Sequence, residues 1–314
     1  MKILVMGGSG YVGRNVVRML TAQGAEPVSF DAAPLRPEHA SPGVPFVRGD
    51  MANMDEVMKA LVEHDIQRMV VVAYIVAPLL SPDYRDLVAA ARVNVLGVAN
   101  VFEAARLARV GRVIYASTIG VFGHRGTEPN DVVTESTPMS PVHGAPGPGL
   151  YSLMKAVNNQ MAARYEELYD IRIAKVHSAA VIGVGNTAFS RRMIQLPALG
   201  QPGFANFPSN APRNIVGVAD ISQLYTKMAL ADEVRHSDYL GTGPTPTGQE
   251  IADVVTKYLP DATITFAEDA DVHAWNFDNS RAVNEFNWQL QTAEEMVLSE
   301  INDTRIEAGL EPVG

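Results

Sequence analysis

A tyrosine and a lysine four residues apart carry the clearest chemistry in the sequence. Tyr151 and Lys155 begin a helical pattern that continues to Tyr169, so both side chains are predicted to lie on one face, one turn apart. A free phenol has a pKa of about 10 and is a poor base near neutral pH. A neighbouring ammonium favours the phenolate. Tyr151 is therefore predicted to take a proton from an alcohol.

Two residues at strand ends could act with this pair. Thr118 directly follows a predicted strand at residues 112–116, where its hydroxyl could share the substrate oxygen with Tyr151. A tyrosine–lysine pair alone is usually ordinary helix surface, and the preceding Ser-Thr is what favours catalysis here. His177 ends the next predicted strand, and two interpretations stay open for it: a substrate contact in the pocket, or a core histidine with satisfied hydrogen bonds.

A glycine-rich turn near the start of the chain predicts a dinucleotide site. It follows the apolar run at residues 3–6 and precedes a helical pattern, which gives the order strand, turn, helix. Gly7 allows the tight turn, and Gly10 lets the backbone approach a pyrophosphate closely. Gly13 lets the helix pack against the strand.

The helix start and an acid complete this predicted cofactor site. The backbone N–H groups of Tyr11 and Val12 are expected to face the phosphates. Asp31 directly follows the second apolar run, where a carboxylate binds the adenosine ribose hydroxyls and repels a 2′-phosphate. The sequence therefore predicts NAD as the cofactor in preference to NADP.

Three more candidate cofactor contacts lie where predicted strands end. Asp50 and Met51 follow a short strand at residues 45–47 and could bind the adenine, although an N-cap for the next helix explains Asp50 equally well. Ala73 lies in the apolar run that begins at residue 69.

Strands alternating with helices predict an α/β fold of the Rossmann type, a doubly wound parallel sheet whose ligands bind beyond the carboxyl ends of the strands.

Composition excludes several classes of function. With 314 residues and 47% hydrophobic content the chain can bury a large core, and its net charge of −10 disfavours nucleic acid as a partner. The absence of cysteine excludes thiolate catalysis and disulfides, and no histidines and acids show metal-ligand spacing, so no metal is predicted. The apolar run at residues 69–80 is too short to span a bilayer, and no signal-peptide pattern begins the chain. We expect a cytoplasmic protein without membrane association.

The second half is expected to carry the substrate surface. Residues 1–181 are predicted to form the cofactor-binding domain and residues 182–314 a smaller α/β substrate-binding part, some segments of which could return to the main sheet. Arg191, with its neighbour Arg192, could reach a substrate carboxylate or phosphate, or could form a solvated helix face. The acid-rich helix at residues 292–309 predicts a solvent-exposed face. The Pro- and Gly-rich stretch at residues 138–149 predicts a loop over the active site, with His143 exposed in it and His124 also exposed.

Several of these motifs together resemble the extended short-chain dehydrogenase/reductase family, often called the NAD-dependent epimerase/dehydratase family. They are residues 7–13, Asp31, residues 50–51, 94–100, 117–123, 151–155 and 216–220. The resemblance implies a catalytic triad of Thr118, Tyr151 and Lys155, with Lys155 also holding the nicotinamide ribose. Asn94 would order water or the helix behind Lys155. The resemblance also implies a homodimer in which the helix containing Asn94 pairs with the helix that begins at Tyr151.

Departures from the family pattern limit the substrate. Ile119 and Gly120 replace the acidic pair of family dehydratases, so loss of water is disfavoured. Arg213 matches the first of two arginines that nucleotide-sugar members use for the diphosphate. The position of the second arginine falls near the stretch at residues 266–271, which is acidic. Ala180 stands where nucleotide-sugar members usually carry an asparagine. These departures favour a smaller substrate without a diphosphate.

Three functions stay open at this point. The leading one is an NAD-dependent oxidoreductase acting on a secondary alcohol or ketone of a small sugar-derived or hydroxy compound. The alternative is a UDP-sugar 4-epimerase with tightly bound NAD, which Arg213 supports. A non-catalytic NAD-sensing regulator is less favoured, because such proteins commonly lose the tyrosine or lysine that this chain keeps.

Overall fold

The computed structural model describes residues 1–76, 85–123, 131–141, 146–186, 188–268 and 276–314, apart from the side chains of 146–148. Elements are numbered along the chain. The helices are α1 (Tyr11–Ala22), α2 (Met54–Glu63), α3 (Leu87–Ala91), α4 (Val98–Leu107), α5 (Pro146–Leu168), α6 (Leu196–Ala198), α7 (Val218–Leu230), α8 (Gly248–Tyr258), α9 (Ser280–Phe286) and α10 (Ala293–Glu307). Short 3-10 turns lie at Pro37–His39 and Ile119–Phe122, and π-helical turns lie at Arg92–Gly97 and Arg191–Gln195.

A seven-stranded parallel sheet forms the centre of the fold, in the order β11-β7-β5-β4-β1-β2-β3. Its strands are β1 (Lys2–Met6), β2 (Glu26–Asp31), β3 (Phe46–Arg48), β4 (Arg68–Val71), β5 (Arg112–Thr118), β7 (Arg172–Ser178) and β11 (Asp238–Gly241). The strand order reverses between β1 and β4, which is the switch point where ligands bind in such sheets. The predicted doubly wound Rossmann-type fold is confirmed.

Both faces of this sheet are buried, as continuous apolar strands require. Ile3 and Val5 face one side, where α1, α7 and α9 cover the sheet. Leu4 and Met6 face the other side, where α2, α4 and α5 pack. The carboxyl ends of the strands therefore open onto one edge between the two helical layers.

Three arginines lie in register at the opposite edge of the sheet. Arg68, Arg112 and Arg172 begin β4, β5 and β7 as neighbouring pairs. Arg68 and Arg112 donate to the carbonyl of Ala231 at 2.8 and 2.6 Å, and Arg172 donates to Val234 at 2.9 Å. These bonds satisfy carbonyl groups at and beyond the end of α7, which would otherwise lack partners. The arginines thus hold α7 against the sheet.

The second half of the chain adds a separate apolar core. The remaining strands form three pairs, namely β6 (Val132–Val133) with β13 (Asn276–Phe277), β8 (Ala180–Ile182) with β10 (Ile215–Gly217), and β9 (Gly203–Pro208) with β12 (Ile264–Ala267). Buried residues of α8 and α10, such as Val255 and Ile301, pack together beside these strands. Since β11 lies in the main sheet, the division at residue 181 stays a prediction.

The long helix α5 begins earlier than the sequence predicts. The Pro- and Gly-rich stretch was expected to stay a loop through residue 149, yet α5 starts at Pro146. The first backbone N–H groups of a helix have no partner inside it, so residues without an N–H are tolerated there. Tyr151 therefore lies inside an established helix, and the expected loop is shorter than predicted.

The segment Leu87–Leu107 is long and apolar enough to cross a membrane by length and composition alone. It consists of α3, a π-helical turn and α4. Core helices of globular folds meet the same criterion, and here Val98, Phe102 and Ala105 are fully buried against the sheet. The segment is therefore buried in the same way as a core helix of a globular fold.

Candidate active site

The glycine turn is packed tightly between two elements of the sheet edge. Gly7 has a φ of +87°, and a Cβ on it would lie 2.7 Å from the backbone nitrogen of Ala73. A Cβ on Gly13 would lie 2.0 Å from the carbonyl oxygen of Gly7. Glycine is therefore required at both positions, because α1 and the end of β4 approach the turn too closely for a side chain. Ala73, predicted as a cofactor contact, lies directly beside this turn.

The start of α1 is free to receive an anion. Gly10 is its N-cap and contributes no side-chain hydrogen bond. Helix geometry leaves the N–H groups of Tyr11 and Val12 without partners inside the helix, and the positive end of the helix dipole lies there. A glycine cradle with open donors fits a pyrophosphate. Burial raises the pKa of Tyr11 above its usual value, and the neighbouring Asn186 opposes that rise.

Asp31 lies at the end of β2, next to the glycine turn. Its Oδ2 accepts the backbone N–H of Ser9 at 3.1 Å, and its Oδ1 accepts that of Ala33 at 3.0 Å. These bonds fix the carboxylate while leaving other lone pairs for ribose hydroxyls. Its contact with the cofactor stays a prediction.

Asp50 is not the N-cap of α2. Asn53 holds that position, and its side chain accepts the N–H of Asp55 at 3.2 Å. Asp50 instead forms an ion pair with Arg92. The N-cap interpretation was wrong because Asn53, which directly precedes the helix, is closer to the unpaired N–H groups. Met51 is buried, and an adenine contact for either residue stays a prediction.

Thr118 and Tyr151 meet at the carboxyl edge of the sheet. Thr118 ends β5 and accepts the N–H of Gly120 at 3.2 Å. Burial raises the pKa of Tyr151 to about 12, and the nearby hydroxyl of Thr118 opposes that rise. The two hydroxyl groups can therefore bind one substrate oxygen together, with the phenol in its protonated form.

The ammonium of Lys155 contacts a backbone carbonyl and two aromatic rings in this structure. Its Nζ donates to the carbonyl of Ala116 at 2.5 Å and lies 3.6 Å from the ring centre of Tyr74 and 4.6 Å from that of Tyr115. Burial lowers the pKa of Lys155 well below its usual value. The sequence predicts that Lys155 lowers the pKa of Tyr151. In this structure the group that lowers that pKa is the hydroxyl of Thr118, and burial outweighs its effect.

Asn94 braces the segment that follows β4. It is fully buried in the π-helical turn, where its Oδ1 accepts the N–H of Ile75 at 2.8 Å and its Nδ2 donates to the Ile75 carbonyl at 3.0 Å. The backbone carbonyl of Asn94 accepts Nδ2 of Asn158 at 2.7 Å. Asn94 thus reaches the helix of Lys155 through Asn158, and a role in catalysis stays a prediction.

Asn158 is a site residue that the sequence interpretation missed. It is buried three residues after Lys155 on α5 and donates to the hydroxyl of Tyr115 at 2.9 Å. The hydroxyl of Tyr74 lies 3.5 Å from the same amide nitrogen. The signal was a polar residue on the helix face that carries Lys155.

His177 has the surroundings of a core histidine. It is 1% exposed, its Nε2 lies 2.9 Å from Oδ1 of Asp238, and its ring centre lies 5.3 Å from that of Phe122. Burial of the Asp238 carboxyl raises its pKa, but the bonds from His177 and Lys175 outweigh that effect and hold the pKa below its usual value. Its Nδ1 is buried without a hydrogen-bond partner among the described residues, so the ring is enclosed but only half satisfied, and the substrate contact stays a prediction.

The two neighbouring arginines of the second half differ in their surroundings. Arg191 is exposed, which fits the solvated-face alternative. Arg192 donates to Oδ1 of Asn206 at 3.1 Å, and its guanidinium lies 5.3 Å from the ring centre of Phe204. A substrate contact for Arg191 stays a prediction without support from its position.

Arg213 is held between two aromatic rings. Its guanidinium lies 4.4 Å from the ring centre of Phe207 and 5.3 Å from that of Phe189. Its Nε is buried and has no hydrogen-bond partner among the described residues, and burial lowers the pKa of Arg213. A fixed cation with an unused donor suits an anionic group.

The sequence interpretation did not identify Glu300 as a buried residue. It predicted a solvent-exposed face for the last helix, but α10 also carries this buried carboxyl. Glu300 is 1% exposed on α10, and its Oε1 accepts Ser190 at 2.9 Å and Gln195 at 2.7 Å. Burial raises the pKa of Glu300 to about 7. Gln195 also donates to the carbonyl of Asn186 at 3.3 Å, so Gln195 links α10 to the loop after β8.

Some predicted residues lie outside the described part of the chain. They are His124, His143 and the acidic positions 269–271. Within the described ranges no cluster of histidines and acids could hold a metal ion.

Comparison with known proteins identifies the family. The model of the NAD dependent epimerase/dehydratase family matches residues 3–239. The chain belongs to this family. The predicted family resemblance is confirmed, and the glycine turn and Tyr151 both lie within the matched residues of this epimerase/dehydratase family member.

Relatives of this family member differ in their named activities. Human short-chain dehydrogenase/reductase family 42E member 1 is 27% identical over 244 residues, which are 75% of this chain and 59% of that protein. The chain therefore spans less than two thirds of that relative. UDP-glucose 4-epimerase of Mycolicibacterium smegmatis is 30% identical over 189 residues, which cover 58% of this chain and 57% of the relative.

A solved structure extends the likeness over nearly the whole chain. Thermus thermophilus UDP-glucose 4-epimerase in complex with NAD matches with a TM-score of 0.82 at 22% identity, covering 97% of this chain and 99% of that one. At this identity the likeness shows the fold. The epimerase/dehydratase family member thus shares its whole architecture with a protein crystallised with NAD.

Proposed function

We propose that this chain is an NAD-dependent oxidoreductase that transfers a hydride between NAD and a secondary alcohol or ketone of a small sugar-derived or hydroxy compound. The proximity of Thr118 to Tyr151 carries this proposal, because it brings two hydroxyl groups together at the same sheet edge as the glycine turn. Relatives named as dehydrogenases and epimerases support it.

The residues that would hold NAD fit that cofactor. The glycine turn at residues 7–13 leaves no room for side chains and offers helix-start donors to a pyrophosphate. Asp31 provides acceptors for the adenosine ribose and a charge that disfavours a 2′-phosphate. NAD supplies the hydride acceptor or donor when bound. Lys155 is the residue expected to hold the nicotinamide ribose.

The protonation state of Tyr151 sets its role in each direction. With a pKa of about 12 the phenol keeps its proton near neutral pH. In ketone reduction it can therefore donate that proton to the forming alkoxide, while Thr118 holds the same oxygen. In alcohol oxidation Tyr151 must first lose its proton, which a nearby ammonium of Lys155 would favour.

The substrate is proposed to carry an anionic group without a diphosphate. Arg213 offers a fixed guanidinium with an unused donor, which suits a carboxylate. Ile119 and Gly120 place no acid next to Thr118, so dehydration lacks its acid and base. A UDP-sugar 4-epimerase remains the second candidate, because the solved relatives with this fold include such epimerases.

One experiment separates the two candidates. Purified protein is incubated with NAD and a panel of hydroxy acids, aldonates and sugars, and formation of NADH is followed by its near-ultraviolet absorbance. Net NADH formation supports the oxidoreductase. Interconversion of UDP-sugars without added NAD and without net NADH would support the epimerase instead.

We further propose a homodimer and a cytoplasmic location. Exposed apolar side chains lie on the two helical segments expected to pair, with Leu96 and Leu107 at 52% and 50% exposure and Leu153 and Val157 at 42% and 41%. Burying these side chains in a second copy would stabilise the pair. In analytical ultracentrifugation, Leu153→Glu should sediment as a monomer. The control Val62→Glu, at an exposed valine on α2, should sediment like the wild type.

Cell fractionation tests the cytoplasmic location.

A further inference from the structure

The ring of Tyr74 covers the ammonium of Lys155. Its centre lies 3.6 Å from Nζ, and its edge faces Tyr151 with ring centres 5.6 Å apart and planes at 84°. Tyr74 directly follows Ala73, whose backbone nitrogen packs against Gly7. Tyr74 therefore lies on the cofactor edge, between the two side chains of the Tyr-x-x-x-Lys pair.

This arrangement leaves Lys155 without access to a ribose. One donor of Nζ is used by the carbonyl of Ala116 at 2.5 Å, and the rings of Tyr74 and Tyr115 occupy two other sides. Within the described ranges no carboxylate forms an ion pair with Lys155, so the aromatic faces are the groups that stabilise its charge. A ribose hydroxyl can reach Nζ only if one ring moves.

Of the two rings, Tyr74 is the one able to move. Tyr115 is fully buried, and its hydroxyl accepts a hydrogen bond from Asn158 at 2.9 Å. Tyr74 is half-buried, and its hydroxyl lies 3.5 Å from Asn158, at the limit of a hydrogen bond. Two bonds between Asn94 and Ile75 hold the neighbouring backbone. The ring can therefore rotate while the chain at its base stays in place.

We propose that Tyr74 is a positioning residue whose ring covers the ammonium of Lys155 until the nicotinamide ribose of the cofactor displaces it. This inference rests on the proposed use of NAD. The cofactor then gains Lys155 only by breaking the contact between the ammonium and the ring. Tyr74 thus weakens NAD binding and keeps the lysine from acting before the cofactor is in place.

Calorimetric titration with NAD tests the competition. Tyr74→Leu removes the aromatic face and should bind NAD about fivefold more tightly than the wild type, as expected for loss of one cation–π contact. Tyr74→Phe keeps the face and is the matched control, with an affinity within about twofold of the wild type. Weaker NAD binding by Tyr74→Leu would overturn the proposal, because the ring would then support the cofactor.

A spectroscopic measurement on the wild type does not depend on the variants folding. In protein labelled with ε-13C lysine, the ring current of Tyr74 should shift the Lys155 ε-methylene protons upfield, with Lys155→Arg identifying the signal. Addition of NAD should remove that shift. An unshifted signal before addition, or a shift that persists at saturating NAD, would overturn the proposal. If the signal is shifted but NAD does not bind, displacement by this cofactor is refuted and the proposed function fails with it.

Discussion

The hydroxyl of Thr118 lies close enough to the phenol of Tyr151 to lower its pKa, which opposes the rise that burial causes. Thr118 ends β5 and Tyr151 lies in the first part of α5, so a strand and a helix meet at one reactive point. Thr118 therefore both positions and tunes the proposed proton donor.

Replacing Tyr151 should separate chemistry from binding. Tyr151→Phe keeps the ring and removes the transferable proton, so turnover should fall by at least about a hundredfold. NAD binding should stay within about twofold of the wild type, since the glycine turn is untouched. Steady-state rates and calorimetry measure the two effects. Retained turnover would show that another group transfers the proton.

Thr118 offers a graded test of the same pair. Thr118→Val removes the hydroxyl and should lower kcat about a hundredfold. Thr118→Ser restores a hydroxyl at the same place and should recover most of the rate. The pH dependence of kcat decides the mechanism, because losing the bond should move the ionisation attributed to Tyr151 to higher pH. Equal rates and pH profiles for the valine and serine variants would exclude the shared hydrogen bond from catalysis.

The carboxylate of Asp31 should set cofactor choice. Asp31→Asn keeps a side-chain acceptor near Ser9 but removes the charge that repels a 2′-phosphate. The ratio of NADP to NAD affinity should rise at least about tenfold, because like charges at close range cost several kcal/mol. Fluorescence or calorimetric titration with both cofactors measures it. An unchanged ratio would mean that Asp31 does not face the ribose.

The close packing of Gly13 against Gly7 should not tolerate a methyl group. A Cβ on Gly13 would lie 2.0 Å from the Gly7 carbonyl oxygen, so Gly13→Ala should lower the free energy of unfolding by about 1–3 kcal/mol or more and abolish NAD binding. Gly111→Ala is a matched control, because its Cβ would meet its nearest atom at an ordinary 3.7 Å. Chemical denaturation of both variants should show a loss only for Gly13→Ala.

Glu300 should make stability depend on pH. Its pKa is about 7 in the folded chain and near 4.5 when unfolded. Below that lower value both states hold the proton. Between the two values the folded state keeps a proton that the unfolded state has released, so stability should fall as pH rises, by about 3 kcal/mol in total.

Glu300→Gln provides the comparison for this effect. The amide keeps an acceptor for Ser190 and Gln195 but does not ionise, so the difference in unfolding free energy between variant and wild type should grow between about pH 5 and about pH 8. Urea unfolding at both values measures it. A difference that does not change with pH would show that Glu300 stays in one protonation state.

Local spacing explains which parts of the site the sequence could predict. The glycine turn and the Tyr151–Lys155 pair each lie within a few residues, where strand, turn and helix geometry fixes their relation. Asp50 shows the limit of such reasoning, since Asn53 is equally polar and only the backbone decides which residue caps the helix.

Contacts between distant residues could not be predicted in this way. Glu300 and Gln195 are 105 residues apart, and no periodicity connects them. Tyr74 follows β4 and Lys155 lies on α5, and their side chains meet only in the folded chain. The sequence places Tyr74 in the apolar run at residues 69–80, so its contact with the lysine depends on a side-chain direction that the sequence does not encode locally.

Direct titration of the ligand-free protein with NAD tests the central proposal most directly. Isothermal calorimetry should show saturable binding of one NAD per chain, with weaker binding of NADP because of Asp31. Absence of a saturable heat change with NAD would contradict the account, since the glycine turn, Asp31 and Lys155 would then have no cofactor to hold.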